Sequence, residues 1–234
     1  MQPARTRCVP DRRRNLPVVE WKLLRDVPDE DVRQVLQIAR RRTFSRGEVV
    51  FHHGDPADSL QLIVKGRFAV RITTPLGDTA LIAVHGPGDS FGELALVSDD
   101  SVRSATVAAL EAGETRSVYQ RDFARLQREH PSVNAVLVTL LADQVRRMNE
   151  RIVEAHYVDA DKRVRRRLSE LVRIYGDGDG VTVPLTQEDL AEMAGTSRAT
   201  VNRVLREEEK RGTVALQRGK TVVVDAEALG RRSR

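Results

Sequence analysis

A short stretch around position 93 combines residue types that suit a sugar-phosphate ligand. Glu93 is an acceptor suited to a sugar hydroxyl, and Arg103 offers a guanidinium fork for two phosphate oxygens. Ser104 adds a hydroxyl donor, Gly92 lets a ligand approach the backbone, and N–H groups of the turn after Leu96 can point at an anion. A carboxylate beside donors for an anion is the pattern expected of a ribose-phosphate site. A strand-end ion pair between the two charged residues is the simpler alternative.

A second set of residues, towards the C-terminal end, suits contact with DNA. Thr186 and Ser197 are typical helix N-caps, and Gly195 suits a tight turn between two helices. Arg198 and Arg203, early in the second helix, can each donate two hydrogen bonds to guanine O6 and N7. The further candidate contacts to bases or phosphates are Thr186, Ser197, Ala199, Thr200, Asn202, Arg218 and Lys220. The alternative is a helical hairpin whose arginines are solvated.

Histidine and cysteine offer a third kind of site, a metal or hydrolase centre. His52 and His53 lie near Asp55, but adjacent side chains of a strand point to opposite faces, and a cupin-type site needs His-x-His. The single cysteine, Cys8, excludes a disulfide or an all-cysteine metal site within one chain. We expect no catalysis and no metal. A jelly-roll metalloenzyme is the alternative from another functional class.

The elements that must position these residues follow from hydrophobic periodicity. Short β-branched runs with frequent turn residues, between positions 42 and 119, predict an antiparallel sandwich or jelly roll. A short helix follows the sandwich and ends at His130-Pro131. A helix also precedes the sandwich, with Pro28 near its start and apolar residues at Val32, Val35, Leu36 and Ala39.

A long stretch without Gly or Pro, from Ser132 to Tyr175, predicts helix. Its apolar stripe has the alternating spacing of a coiled-coil seam and consists of Val138, Leu141, Val145, Met148, Ile152 and Ala155. A strict stripe of this kind is narrower than the face of a helix packed on its own chain, so we expect homodimerisation through it. Packing against the same chain's sandwich is the alternative. Asp159 and Asp161 suit N-caps of a second helix, which makes Val158–Asp161 a predicted hinge.

The C-terminal segment has the order helix, glycine turn, capped helix and hairpin. Thr186 opens the first helix, with Asp189 in place of Glu or Gln three residues on as a weakened capping box. Ser197 caps the second helix, predicted over Arg198–Arg211. The sequence TVALQRGKTVVV predicts a hairpin that turns at Arg218-Gly219. This order is that of a winged helix-turn-helix.

The cassette, residues 91–107 (FGELALVSDDSVRSATV), resembles the phosphate-binding cassette of cyclic-nucleotide-binding domains. The order of sandwich, cassette, long helix and winged helix-turn-helix over residues 20–224 resembles the CRP/FNR family of bacterial transcription regulators. The resemblance implies a cyclic nucleotide, cAMP first, with Glu93 on the ribose 2′-OH and with Arg103 and Ser104 on the cyclic phosphate. The ligand residues implied in this way are Gly92, Glu93, Leu94, Ala95, Arg103, Ser104, Met148 and Asn149.

Two departures from the family pattern bear on specificity. Met148 and Asn149 stand where the family's long helix contacts the base; Asn149 can donate and accept, whereas Met148 can only pack. The alternative to control by a cyclic nucleotide is therefore that another signal controls DNA binding, or that DNA binding is constitutive. By resemblance Arg198 and Arg203 match the two base-reading arginines, while Ala199 replaces a Glu that reads cytosine. We expect a pseudo-palindromic operator related to the family's TGTGA-type half-site but changed at that position.

These observations together predict an α+β chain with four parts. They are a disordered basic tail (1–17), a cyclic-nucleotide-binding jelly roll (18–131), a dimerisation helix (132–158) and a winged helix-turn-helix domain (159–234). The expected partners are double-stranded DNA, a second copy of the chain and, by resemblance, RNA polymerase. The sequence has no run of 18 apolar residues and no secretory signal, so we expect a cytoplasmic protein without a membrane partner.

Net charge is a poor guide to DNA binding in this chain. The formal charge is +5, from 39 Lys+Arg and 34 Asp+Glu. The N-terminal tail holds five of the arginines, and a predicted C-terminal tail holds Arg231, Arg232 and Arg234. The body between the tails is therefore slightly acidic, and the tails are expected to add only non-specific, salt-sensitive affinity. DNA binding is predicted from where a few basic residues stand on the second helix and the wing.

Overall fold

The computed structural model describes residues 19–24, 28–96, 102–129, 132–176 and 178–233. The predicted basic tail with Cys8, the turn after Leu96, the helix end at His130-Pro131 and Arg234 lie outside these ranges. In the described ranges, two β-sheets and flanking helices are followed by a smaller domain of helices and a three-stranded sheet.

Two four-stranded antiparallel sheets form the predicted sandwich, with the strand orders β1-β8-β3-β6 and β2-β7-β4-β5. The strands are β1 (Arg40–Phe44), β2 (Val49–Phe51), β3 (Ser59–Lys65), β4 (Phe68–Thr73), β5 (Thr79–His85), β6 (Ser90–Phe91), β7 (Thr106–Ala109) and β8 (Gly113–Tyr119). Phe68 is fully buried between the sheets, with its ring centroid 5.7 Å from that of Phe44 and 5.4 Å from that of Phe91. The aromatic core therefore reaches the first residue of the cassette.

Four longer helices flank the sandwich and lead out of it. They are α1 (Asp29–Ile38), α2 (Gln120–Glu129), α3 (Ser132–Tyr157) and α4 (Ala160–Tyr175). A separate 3-10 helix, Lys22–Leu24, precedes α1, and Trp21 beside it donates from Nε1 to the carbonyl of Ile63, 3.0 Å away. Val133 and Leu137 at the start of α3 are buried in the same cluster as residues of α1 and α2. The first third of α3 is thus fixed to the sandwich.

The break between α3 and α4 falls at the predicted hinge. Asp159 stands at the N-cap of α4, but its side chain makes no capping hydrogen bond, and Asp161 lies inside the helix. The predicted N-cap position is therefore confirmed for Asp159, although without a side-chain hydrogen bond, and was wrong for Asp161. Arg163 in α4 instead connects the residue after α3 with the predicted glycine turn at Ala194 and Gly195. Its guanidinium donates to the carbonyls of Val158 and Ala194 at 2.8 Å and of Gly195 at 3.0 Å.

The C-terminal domain is a winged helix-turn-helix, as predicted. Its elements are β9 (Val181–Val183), α5 (Gln187–Ala194), α6 (Arg198–Lys210), β10 (Val214–Gln217), β11 (Lys220–Val223) and α7 (Ala226–Ser233). The capping box at Thr186 and Asp189 is complete rather than weakened, because the shorter aspartate still accepts the Thr186 N–H at 2.8 Å. Gly195 ends α5 in the left-handed conformation, with φ of 58°.

Two of the three C-terminal arginines do not lie in a tail. Arg231 and Arg232 lie in α7, and Arg232 Nη2 donates at 2.9 Å to Glu208 Oε2. The carboxylate of Glu208 is buried on α6 and also accepts from Arg165 Nε at 2.9 Å. A buried carboxylate needs such partners. Arg232 therefore holds the domain together, and it does not belong with the solvated charges that were expected to add DNA affinity.

The sandwich and the C-terminal domain share one apolar core. Ala69, Leu81 and Val84, from β4 and β5, pack in the same buried cluster as residues of α4, α5 and α6. Strand β5 lies directly against α5. The two domains of one chain are therefore in direct contact as well as being connected through the hinge.

In the described ranges no helix is long and apolar enough to cross a membrane. Nor does that part of the chain hold three or more His, Cys, Asp or Glu side chains in a metal-binding arrangement. His52 and His53 are exposed in the turn after β2, not in a strand, and their backbone N–H groups donate to Asp55 and Thr106.

Candidate functional site

The second residue of the cassette is a glycine that no other residue replaces easily. Gly92 follows β6 with φ of +81°, a conformation that L side chains rarely adopt. A Cβ built there would lie 2.7 Å from Arg103 Nη1 and 3.2 Å from the carbonyl oxygen of Ser59. Glu93 then opens the 3-10 helix Glu93–Leu96. The bare backbone at position 92 therefore makes room for the arginine.

Arg103 is buried beside Gly92, with 5% of its surface exposed. Nη1 donates to the Ser59 carbonyl at 2.8 Å, and Nη2 donates to Ser59 Oγ and Asp58 Oδ1, both at 3.2 Å. The guanidinium carbon lies 4.1 Å from the ring centroid of Phe51. Nε is buried without a hydrogen-bond partner among the described residues. Burial lowers the pKa of Arg103, against the opposing attraction of nearby carboxylates.

Glu93 is the second buried charge of the site, with 9% of its surface exposed. It forms no ion pair with Arg103, and within the described ranges its carboxylate has no hydrogen-bond partner. Both groups therefore keep hydrogen-bonding capacity. The alternative of a strand-end ion pair between these two described residues was wrong.

The other predicted cassette residues differ in exposure. Ala95 is fully buried in the 3-10 helix, whereas Leu94 is 39% exposed. Ser104 is exposed, next to the buried Arg103. Ser104 is therefore accessible to solvent beside a buried guanidinium.

The structure leaves most of the apolar stripe on α3 uncovered. Val138 is 66% exposed, Val145 and Ile152 are each 56% exposed, and Met148 is 54% exposed. Leu141 is half-buried and packs beside the cluster under the start of α3. Ala155 and the predicted base-contact residue Asn149 are exposed. Neither Met148 nor Asn149 is hydrogen-bonded to described residues of the cassette.

Five of the predicted DNA-contact residues line one groove of the C-terminal domain. The groove has a volume of about 560 Å³ and separates α6 and the start of α5 from the β10–β11 wing. Its lining includes Thr186, Gln187, Arg198, Asn202, Arg218 and Lys220. Arg198, Ala199 and Arg203 are exposed on α6. The structure thus brings three residues of the helix-turn-helix together with Arg218 and Lys220 of the wing, whereas Ser197, Ala199, Thr200 and Arg203 are outside the lining of this groove.

Two of the predicted phosphate contacts also serve as caps. Thr186 Oγ1 accepts the Asp189 N–H at 3.1 Å, and Ser197 Oγ accepts the Thr200 N–H at 3.2 Å. Sequence reasoning missed Gln187, whose Oε1 accepts from Asn202 Nδ2 at 3.2 Å. Its place directly after the Thr186 cap is the signal that identifies it, because the first residue of the helix borders the turn.

The two arginines predicted to read bases are in different environments. Arg198 has no ion pair with any described residue. Arg203 is held by Asp161, with Nη1 2.9 Å from Oδ2, and by Glu207, whose Oε1 is 3.1 Å from Nη1. Its hydrogen bond to Asp161 is the main cause that raises the pKa of Arg203. Asp161 has no local sequence signal that connects it to DNA.

Comparison with known families agrees with this arrangement. The cyclic nucleotide-binding domain family matches residues 41–130, and the Crp-like helix-turn-helix domain family matches residues 162–232. The first match covers the sandwich and the cassette, and the second covers α4 and the winged helix-turn-helix.

Similar proteins span nearly the whole chain. A CRP-like cAMP-activated global transcriptional regulator of Mycobacterium tuberculosis (strain CDC 1551 / Oshkosh) is 34% identical over 197 residues, covering 82% of this chain and 87% of its own. A cyclic AMP receptor protein of Thermus thermophilus is 32% identical over 207 residues, covering 88% of this chain and 94% of its own.

Two solved structures show the same fold. The catabolite activator protein of Thermus thermophilus has 32% identity and a TM-score of 0.53, covering 90% of this chain and 97% of its own. FixK2 from Bradyrhizobium japonicum has 18% identity and a TM-score of 0.74, covering 84% and 98%, and this likeness concerns the fold alone.

Proposed function

Because the chain belongs to the CRP/FNR family of DNA-binding transcription regulators, we propose that it is a cytoplasmic homodimer whose affinity for a pseudo-palindromic operator is controlled by a cyclic nucleotide, cAMP first. The nucleotide binds through Glu93, Arg103 and Ser104. The recognition helices bind DNA through Arg198, Arg203 and their neighbours, and RNA polymerase is a further partner. The family is one of transcription regulators, in agreement with the expectation that the chain is not an enzyme.

One observation carries the ligand assignment: two buried, oppositely charged groups share a site without pairing with each other. Buried charges are stable only when they are paired and hydrogen-bonded. Arg103 has a buried Nε with no described partner, and Glu93 has no described partner for its carboxylate. A cyclic phosphate supplies an acceptor for the unpartnered Nε of Arg103, whose ion pair at 3.2 Å is with the exposed Asp58, and a ribose hydroxyl supplies the donor that Glu93 lacks. One ligand with both groups satisfies both residues.

Calorimetric titration of the whole protein with cAMP and with cGMP tests this assignment. Arg103→Ala is expected to abolish measurable binding, and Glu93→Gln to weaken it, because the carboxylate accepts from the ribose. Arg41→Ala is the matched control, since Arg41 pairs with Glu114 at 2.7 Å on the outside of the sandwich. No binding of either nucleotide, or binding that Arg103→Ala leaves unchanged, contradicts the site.

The exposed stripe on α3 supports the homodimer. Each of Val138, Val145, Met148 and Ile152 is more than half exposed in the single chain. Large apolar side chains repeated along one helical face are covered in stable proteins, and the heptad spacing suits a second α3. A two-fold dimer also places two recognition helices about 34 Å apart, one turn of DNA, which suits a pseudo-palindromic operator.

A second control mechanism is supported by the base-contact positions. Met148 can only pack against a purine, so a cyclic nucleotide could bind without changing DNA affinity. The protein would then bind its operator constitutively or respond to another ligand. Gel shifts with and without saturating cAMP distinguish the two mechanisms, because only nucleotide control changes the operator affinity.

A further inference from the structure

We propose that Asp161, at the start of α4, is a positioning residue that sets the base preference of Arg203. This inference rests on the proposed role of Arg203 in reading DNA. Asp161 lies in the first turn of α4 and Arg203 in the second turn of α6, 42 residues further along the chain. Both helices belong to the C-terminal domain.

The contact is a two-point ion pair. Asp161 Oδ1 lies 2.5 Å from Nη2 of Arg203, and Oδ2 lies 2.9 Å from Nη1. Glu207 Oε1 takes a further hydrogen bond from Nη1 at 3.1 Å. The hydrogen bond from Arg203 is the main cause that lowers the pKa of Asp161, so the carboxylate remains charged at neutral pH. The two acids hold the guanidinium plane from one end.

The remaining donors of Arg203 decide what it can read. A guanidinium has five N–H groups, and these contacts use both on Nη1 and one on Nη2. Nε and the second N–H of Nη2 remain; in a planar guanidinium they point along the same edge. No hydrogen bond from that edge to another described residue exists, and the side chain is 53% exposed. Two parallel donors on one edge are what guanine O6 and N7 accept.

Asp161 therefore leaves Arg203 with one guanine-reading edge in a fixed direction. A free arginine has many rotamers and loses that freedom when it binds. Arg198, on the same helix, has no ion pair with described residues, so no ion pair fixes the direction of its guanidinium. The two arginines are thus expected to differ: Arg203 discriminates one base sharply, whereas Arg198 tolerates several.

The test is binding of the full-length protein to an operator selected from random DNA and to all its single-base variants. Arg203→Ala identifies the base pair at which discrimination is lost. Asp161→Asn keeps the size of the side chain and is expected to reduce discrimination at that same base pair by about threefold or more, and at no other. In the Arg203→Ala background, Asp161→Asn is expected to change no base preference.

Glu188→Gln is the matched control. Glu188 is exposed at the start of α5 and lines the groove between α6 and the wing, so its substitution removes one negative charge near the DNA without touching Arg203. Both acid substitutions are expected to raise affinity for all sequences. If Asp161→Asn only raises the affinity for all sequences, Asp161 acts on DNA binding through its negative charge alone, and the positioning role is wrong. If Arg203→Ala changes no base preference, the reading role of Arg203 fails together with the inference.

Discussion

Arg71 Nη2 lies 2.6 Å from Asp189 Oδ1, and this ion pair joins strand β4 of the sandwich to helix α5 of the DNA-binding domain. The other oxygen of the same carboxylate accepts from the N–H and the hydroxyl of Thr186, the N-cap of α5. Arg71 Nε also lies 3.3 Å from Glu192 Oε2. One carboxylate therefore connects the nucleotide-binding domain with a residue proposed to contact DNA.

Replacing Arg71 is expected to weaken the communication between the two domains. In Arg71→Gln, the ratio of operator affinities with and without cAMP should fall by about threefold or more, because allosteric coupling is typically worth only about 1–3 kcal/mol. The affinity for cAMP itself should stay unchanged, since Arg71 makes no contact with Glu93 or Arg103. Anisotropy titrations of labelled operator measure the ratio. An unchanged ratio would show that the ion pairs of Arg71 do not carry the coupling.

Gly92→Ala is expected to weaken cAMP binding by at least about tenfold, equivalent to about 1.4 kcal/mol. The added Cβ would lie 2.7 Å from Arg103 Nη1 and displace the guanidinium. Gly77→Ala is the control, because Gly77 has φ of +92° with nothing within 4 Å of its Cβ position. Both variants share the backbone strain of about 1–3 kcal/mol. Equal loss of cAMP binding in the two variants would contradict a specific clash at Arg103.

Glu208→Gln is expected to destabilise the protein by about 3 kcal/mol in urea unfolding at neutral pH. Burial raises the pKa of Glu208, but hydrogen bonds from Thr213 and Arg165 and the charge of Arg232 outweigh it, so the pKa lies below its ordinary 4.5. The stabilisation is then complete above about pH 4.5 and is lost as the pH falls through the folded-state pKa.

The difference in stability between wild type and Glu208→Gln should therefore shrink in acid. Glu227→Gln is the control, because Glu227 pairs with Arg231 on the exposed side of α7. It should change stability by less than about 1 kcal/mol at any pH. A difference for Glu208→Gln that persists unchanged to about pH 3 would contradict the role of the charged carboxylate.

Ile152→Glu is expected to convert the dimer to a monomer, because it places a charge in the middle of the apolar stripe on α3. Sedimentation measures the change in mass, and operator affinity should fall by about a hundredfold as the two half-sites are no longer bound together. Thr139→Glu introduces the same charge on another exposed face of the helix and should leave the dimer intact. A dimer that survives Ile152→Glu would place the interface elsewhere.

Ala199→Glu is expected to restore a preference for a C·G pair at the position that the exposed Ala199 faces. A glutamate accepts from cytosine N4, and the discrimination should increase by about tenfold. Selection of binding sites from random DNA, run in parallel on wild type and variant, measures the change at each position. A wild-type protein that already requires that pair would overturn the expected role of position 199.

The features predicted correctly from sequence depend on neighbours along the chain. Thr186, Ser197 and Gly195 follow local rules for caps and turns, and the apolar stripe follows helical periodicity. The missed features are contacts between distant positions: Asp189 is 118 residues from Arg71, and Glu208 is 24 residues from Arg232. No local pattern marks such pairs, so an arginine that neutralises a buried carboxylate looks like a solvated tail residue.

The close approach of Gly92 to Arg103 also limits which substitutions can accumulate at these two positions during evolution. As long as an arginine occupies position 103, any side chain at position 92 would collide with its guanidinium. A lineage that abandons the arginine is released from that collision and keeps the milder demands of a positive φ, which asparagine also tolerates, and of a 3.2 Å approach to the Ser59 carbonyl oxygen. Positions 92 and 103 should therefore covary among relatives, with the loss of the arginine preceding the loss of the glycine.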